Sequence, residues 1–175
     1  MPSVVNLALI FNDKNKYSNL DKLCDYFIKN NFTLNKIYIY DESNQKEYNL
    51  DNLKNKDLIF SNYNNIQLIK DELKVDIYVE IQDDFYGFLI SFEENELKNL
   101  FLNIFDAENY LKNMILDFLK FLDFDYCFLC NDGELEYSYE MLINIHDYKN
   151  LYSFLFINKH NERKFYKGKF NIYGV

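Results

Sequence analysis

Glycine and proline are scarce in this chain of 175 residues, which has four glycines and one proline. Such low numbers argue against a protein rich in loops or linkers. They also exclude glycine-rich phosphate loops, because the four scattered glycines form neither a Walker motif nor a Gly-x-Gly-x-x-Gly fingerprint. The sequence therefore carries no signature of a nucleotide-binding enzyme.

The chain is also poor in cysteine and histidine. Its three cysteines are an odd number, which does not indicate a disulfide framework. Cys127 and Cys130 have the spacing of a zinc or thiol redox motif, but a structural zinc site needs four ligands. Only Cys24, His146 and His160 remain, and the histidines are too far apart for the usual closely spaced pair. We expect Cys127 and Cys130 to lie in an apolar strand, where residues three positions apart point to opposite faces, as small core residues.

A secretory leader is the third missing feature. The apolar run between Met1 and Phe11 has no Lys or Arg before it and no small-residue cleavage site after it. It is much too short to span a bilayer, which takes about 20 apolar residues. The sequence predicts a cytoplasmic protein with no membrane partner.

Apolar side chains, by contrast, are plentiful. Hydrophobic residues make up 49% of the chain and aromatic residues 19%, with 17 Phe and 16 Tyr. A chain of this length and composition can bury a core without disulfides or a metal. We predict a single domain over residues 1–175 that needs no cofactor.

The hydrophobic pattern predicts an α+β fold, with a largely antiparallel sheet packed against about four helices. The predicted strands are Val4–Phe11, Lys36–Tyr40, Asp57–Phe60, Val75–Ile81, Phe85–Phe92, Tyr126–Cys130, Glu134–Ser138, Met141–Ile145, Leu151–Asn158 and Phe165–Tyr173. Helices are predicted from Ser18 to about Asn30, around Ile66–Leu73, after Ser91, and between Asp106 and Leu122.

The charge balance is strongly acidic. The formal net charge is −9 and the sequence pI is about 4.7. Such a field repels nucleic-acid phosphates and attracts basic partners. We therefore predict a basic protein partner and no nucleic acid, with acidity that serves only solubility as the alternative.

Acidic residues alternate over Asp132, Glu134 and Glu136. An extended segment would place all three on one face, where their mutual repulsion calls for a cation, basic side chains of a partner, or water. Three interpretations follow, namely a partner-binding face, a solvated face and a catalytic divalent-metal site. The predicted partner-binding residues are Asp132, Glu134, Glu136, Tyr137, Tyr139, Glu140, and Asp83 and Asp84 of a predicted hairpin turn.

Tyrosines supplement these carboxylates. Tyrosine beside a carboxylate binds Lys and Arg through combined cation–π contact and ion pairing, although tyrosine is also a good strand former. The tyrosines expected to face solvent are Tyr38, Tyr40, Tyr78, Tyr86, Tyr137, Tyr139 and Tyr148. His146, Asp147 and Ser153 do not make a catalytic triad, and no nucleophile elbow is present.

Residues 124–137, FDYCFLCNDGELEY, carry a family resemblance. They are similar to an aromatic strand followed by an acidic one in the immunity protein 64 family of bacterial polymorphic toxin systems. The resemblance covers a small part of the chain and supplies no catalytic residues. It implies a non-enzymatic inhibitor that binds a cognate toxin domain tightly. The alternatives are a divalent-metal-dependent hydrolase with dispersed Asp and Glu residues, and a phage or host defence-modulating binding protein.

Overall fold

The computed structural model describes residues 3–131, 133–159 and 162–173. The strands are β1 (Val4–Phe11), β2 (Thr33–Asp41), β3 (Lys46–Leu50), β4 (Tyr63–Lys70), β5 (Leu73–Ile81), β6 (Tyr86–Glu93), β7 (Tyr126–Asn131), β8 (Phe154–Lys159) and β9 (Glu162–Lys167). The helices are α1 (Lys16–Lys29), α2 (Lys56–Ser61), α3 (Glu94–Leu100), α4 (Ile104–Phe118) and α5 (Tyr139–Ile143), with a 3-10 turn at Tyr148–Asn150.

All nine strands join one antiparallel sheet in the order β3-β2-β4-β5-β6-β1-β7-β8-β9. The predicted α+β class with an antiparallel sheet is confirmed. Strand β1 lies between β6 and β7 and is buried on both faces, as its uninterrupted apolar run predicts.

Four helices cover the first face of the sheet. The apolar stripes of α1, α2, α3 and α4 pack against the residues of every second strand position, including Leu7, Ile77 and Phe88. Alternate residues of a strand point to opposite faces, so the helices bury the side chains that point to the first face. It forms the larger of two apolar clusters.

The second face is covered over only part of its width. Helix α5 and the chain around it pack on β6, β1, β7 and β8 through a smaller cluster that includes Tyr126, Phe128 and Leu155. Strands β2, β4 and β5 instead alternate buried residues with half-buried or exposed ones. Their side chains on the second face therefore remain open to solvent.

Two of the predicted strands are wrong. Residues 133–138 form no strand, and Met141–Ile145 is replaced by helix α5, whose first turn is capped by the Ser138 hydroxyl accepting a hydrogen bond from the Met141 amide. A hydroxyl in this position favours a helix start over a strand.

Two further assignments are exchanged. Asp57–Phe60, predicted as a strand, lies in α2, and Ile66–Leu73, predicted as a helix, forms β4 and the start of β5. The tight β4–β5 turn explains the second error, because Asp71 adopts the left-handed conformation (φ 54°) that aspartate tolerates in turns. Strand β3 was not predicted, since its residues are polar and mostly exposed.

No helix in the described part of the chain is both long enough and apolar enough to cross a membrane.

Candidate functional site

The open part of the second face carries a group of tyrosines, amides and carboxylates that we call the tyrosine face. The residues of the tyrosine face are Tyr38, Tyr40, Tyr63, Asn65, Gln67, Asp76, Tyr78 and Glu80. The register aligns them across three strands, since Tyr38 lies opposite Asn65 and Gln67 lies opposite Asp76. The strand period of two thus collects polar side chains that are dispersed in sequence.

The rings on this face contact one another. The Tyr38 and Tyr63 centroids lie 6.5 Å apart with the rings nearly perpendicular, and the Tyr63 and Tyr78 centroids lie 6.3 Å apart. Tyr63 remains 58% exposed, the largest exposure of a tyrosine on this face among the described residues. Aromatic rings that support each other lose little conformational entropy on binding a partner, which suits a recognition surface.

Hydrogen bonds fix the polar side chains beside these rings. Asn35 donates to the Gln67 side-chain carbonyl (2.7 Å), and Gln67 donates to Asp76 (3.0 Å). The Asn65 amide donates to the Tyr78 hydroxyl (3.3 Å). The tyrosine face is therefore organised before any partner arrives.

The acidic segment predicted as a strand crosses the second face next to the tyrosine face. We call residues 133–138 the crossing segment. The carbonyl oxygen of Gly133 accepts from the Asn6 side chain (2.7 Å), and that of Tyr137 accepts from the Tyr126 hydroxyl (2.6 Å). Leu135 is buried against Gly87, where an added Cβ would lie 2.5 Å from a Leu135 methyl. The segment is thus anchored at both ends and in its middle.

The crossing segment brings Glu134 close to Glu80 of β5. The pKa of Glu80 is raised, first by burial and then by the negative charge of Glu134. No lysine or arginine of the described residues forms a salt bridge with either carboxylate. Glu80 and Glu134 therefore place unneutralised negative charge at the end of β5, two residues beyond Tyr78, whose own pKa burial raises to about 12.

Several predicted partner-binding residues fit this surface. Glu134 and Glu136 are exposed and Tyr137 is half-buried, with its pKa raised by a hydrogen bond to Glu136. Asp83 and Asp84 are exposed in the β5–β6 turn, three and four residues beyond Glu80. Asp132 lies outside the described residues.

Two predicted residues already have partners within the protein, although Glu140 is exposed. Tyr139 is only 6% exposed and packs in the smaller apolar cluster, so the expectation that it faces solvent is wrong. Glu140 pairs with Lys159 (2.8 Å), whose ammonium group also contacts Asp125 (3.2 Å) and the Tyr139 ring. The reason is local: the chain turns into helix α5 here, which points Tyr139 inward.

Tyr86 was also expected to face solvent, and this expectation is wrong because Tyr86 is buried on the first face. It is 4% exposed, stacks on Phe11 at 5.0 Å, and donates a hydrogen bond to Asp13 (2.6 Å). Tyr63 and Glu80 were not among the predicted site residues. The alternation of Tyr63, Asn65 and Gln67 with buried Asn64, Ile66 and Leu68 is the signal that could have identified β4 and its open side.

The cysteines behave as expected of core residues. Cys127 packs in the larger cluster and Cys130 in the smaller one, on opposite faces of β7, and all three cysteines are buried. Burial raises the pKa of Cys24 to about 12 and that of Cys127 well above its ordinary value. Within residues 3–131, 133–159 and 162–173, no three His, Cys, Asp or Glu side chains are grouped so that they could hold a metal ion.

A pocket of about 620 Å³ lies away from the tyrosine face, beside the β4–β5 turn and helices α3 and α4. Its apolar walls include Phe32, Leu73 and Leu100, and the Lys70 ammonium lies 5.7 Å from the Phe32 ring centroid. Glu96 at its rim is already bonded to Lys74. This pocket shows no arrangement of groups that specifies a ligand.

Comparison with known proteins gives no relative for this chain: no family model, no curated protein and no solved structure matches it significantly.

Proposed function

We propose that this chain is a non-enzymatic inhibitory binding protein of the cytoplasm, an immunity protein that neutralises a basic toxin domain. The observation that carries the proposal is the pair of unneutralised carboxylates, Glu80 and Glu134, beside the tyrosine face with its exposed Tyr63 ring. The net charge of −9 acts in the same direction over longer distances.

A Lys or Arg side chain of the partner would relieve the repulsion between these carboxylates. Its charged group would pair with Glu80 and Glu134. Its aliphatic part would pack on Tyr63 or Tyr78, and the charged group would also make a cation–π contact with that ring. The exposed Glu136 and the turn residues Asp83 and Asp84 extend the negative surface around this centre. Such a surface competes with phosphate groups for the basic groove of a toxin such as a nuclease.

The acidic field also predicts how the complex forms. Long-range attraction accelerates the encounter with a basic partner and is screened by salt, so the association rate falls as ionic strength rises. A binding face made only of apolar contacts would show little salt dependence.

The experiment begins with capture of the partner. The tagged protein is used as bait against lysate of its own host and against the product of the adjacent upstream gene, and the captured protein is titrated at two salt concentrations. We expect one tight partner with a basic surface whose affinity falls at the higher salt concentration. Capture of no partner in either format contradicts the proposal.

Charge reversal then maps the interface. We expect Glu134→Lys with Glu136→Lys to weaken binding at least tenfold, which corresponds to about 1.4 kcal/mol. The matched control is Asp25→Lys with Glu72→Lys, which makes the same charge change at exposed positions on α1 and the β4–β5 turn. Equal losses for the two pairs would show that net charge alone matters and that the crossing segment is not part of the interface.

A further inference from the structure

The C-terminal part of the chain has a charge opposite to that of the whole. Residues 141–175 contain six basic residues and two acidic ones, in a chain whose net charge is −9. The basic residues are Lys149, Lys159, Arg163, Lys164, Lys167 and Lys169.

Two of these cations lie over one tyrosine at the end of the sheet. The ammonium groups of Lys149 and Lys164 lie 4.8 Å and 5.2 Å from the centroid of the Tyr166 ring. Lys149 also lies 5.6 Å from the Tyr148 ring. We call Tyr148, Lys149, Lys164 and Tyr166 the β9 surface.

The charges of the β9 surface are not neutralised. Among the described residues, no carboxylate forms a salt bridge with Lys149 or Lys164. The neighbouring Lys167, by contrast, forms a salt bridge with Glu108 at 2.7 Å. Two ammonium groups that share one ring repel each other, and an anionic group placed between them would remove that repulsion.

The same surface contains an unpaired strand edge. In the part of the chain that the structure describes, β9 is the last strand of the sheet and pairs with β8 alone, over Glu162–Lys167. The outer side of an edge strand presents alternate backbone N–H and C=O groups with which a further strand can pair. Side chains of β9 alternate between faces, which places Lys164 and Tyr166 together on the second face.

Lysines on an edge strand also serve to prevent aggregation. That role needs only residues of the strand itself, such as Lys164. Lys149, however, belongs to the 3-10 turn at Tyr148–Asn150 and reaches the Tyr166 ring from there. A second cation at the same ring concentrates positive charge on one side of β9. Protection against aggregation does not require this concentration.

From these observations we infer that β9 is a docking edge for an acidic, extended segment of a protein partner. The segment adds to the sheet as a strand, and its carboxylates, two residues apart, pair with Lys149 and Lys164. A peptide fits better than a nucleic acid, because its backbone can pair with the edge of β9 and because a long phosphate chain would be repelled by the acidic remainder of the protein. This inference concerns a surface of opposite charge and does not rest on the proposed function.

The test uses the full chain and a synthetic six-residue peptide of alternating Glu and Val, acetylated and amidated at its ends. Binding is followed by NMR titration and by hydrogen exchange of the β9 amides. We expect saturable shifts at β9, slowed exchange of its outward amides, and affinity that falls with salt. Lys149→Glu with Lys164→Glu should lower the affinity at least tenfold, while Lys22→Glu, an exposed change on α1, should leave it unchanged.

Two further probes separate the alternatives. The same peptide, N-methylated at alternate residues, keeps its charge but cannot pair with an edge strand, so we expect it to bind at least tenfold more weakly. Equal binding of the methylated peptide, or no binding of either peptide, overturns the inference. Saturable binding of oligothymidylate at β9 without peptide binding overturns it in favour of a phosphate ligand.

Discussion

The side chain of Asn64 takes the place of a backbone group opposite Val79. Asn64 Oδ1 accepts from the Val79 amide and Asn64 Nδ2 donates to the Val79 carbonyl, both at 2.8 Å. The backbone ladder between β4 and β5 runs only from the Lys70–Leu73 end to Ile66–Ile77. The amide side chain continues that ladder while the backbone of Asn64 pairs with Ile39 of β2. It holds together the strand ends that carry Tyr63 and Tyr78.

We expect Asn64→Ala to lower the free energy of unfolding by about 2–4 kcal/mol. The substitution leaves the buried N–H and C=O of Val79 without partners, and each such group costs about 1–3 kcal/mol. Asn64 is 2% exposed, so water cannot replace these bonds readily. Chemical denaturation followed by circular dichroism measures the change.

The control is Asn49→Ala, which removes the same amide from an exposed position in β3. We expect it to change stability by less than about 0.5 kcal/mol. Similar losses for the two variants would show that the side-chain bridge between β4 and β5 contributes nothing.

This bridge illustrates what the sequence could not predict. The uninterrupted apolar residues of β1 predict a central strand by themselves, because only burial on both faces accommodates them. In β4, however, the spacing of Ile66, Ile69 and Leu73 fits a helix as well as a strand. A buried asparagine is explained only by the strand across from it, and that pairing is not local.

The crossing segment shows the same limit at the candidate site. Glu134 and Glu136 are exposed on either side of buried Leu135, so the predicted alternation is present. The segment nevertheless lies across the sheet instead of within it, because its side chains pack on β6 and its carbonyls accept side-chain hydrogen bonds. The proximity of Glu134 to Glu80 joins residues 54 positions apart and follows from topology alone.

Gly87→Ala should displace the crossing segment. The new methyl group would lie 2.5 Å from a Leu135 methyl and 3.0 Å from the Leu9 carbonyl oxygen. Overpacking of this kind typically costs about 1–3 kcal/mol. We expect that loss in denaturation, together with faster hydrogen exchange in residues 133–138.

Leu135→Ala provides the matched partner of this variant. Alone it should cost about 2–3 kcal/mol, since Leu135 is 4% exposed. The double variant Gly87→Ala with Leu135→Ala should lose at least about 1 kcal/mol less than the sum of the single changes, because the added methyl then occupies vacated space. Strict additivity would show that the two residues do not pack against each other.

The three thiols should be unreactive in the folded protein. Cys24 and Cys127 have raised pKa values because they are buried, and the reactive species is the thiolate. With Ellman's reagent at pH 8 we expect all three cysteines to react rapidly only in denaturant. Rapid reaction of one native thiol would contradict the core role, and recovery of a Cys127–Cys130 disulfide would contradict their placement on opposite faces of β7.

Glu80→Gln should stabilise the protein at neutral pH. The folded-state pKa of Glu80 is raised above the ordinary value of 4.5. Protonation of Glu80 therefore stabilises the folded protein fully below pH 4.5, and this stabilisation is lost as pH rises through the folded-state pKa. Glutamine carries no charge and escapes that loss. We expect a gain below about 1 kcal/mol, because Glu80 is half-exposed and solvent screens its interaction with Glu134. The gain should vanish as pH falls below 4.5.

Glu134→Gln should reproduce part of this gain and lower the pKa of Glu80, measured by NMR titration of its side-chain carboxyl carbon. Asp83→Asn makes the same chemical change in the exposed β5–β6 turn and should alter stability by less than about 0.5 kcal/mol. If Glu80 and Glu134 serve partner binding, both glutamine variants must bind the captured partner more weakly although they are more stable. Such a trade of stability for binding is typical of functional sites. A variant that is more stable and binds equally well would instead make the carboxylate pair a solvated feature without a role in recognition.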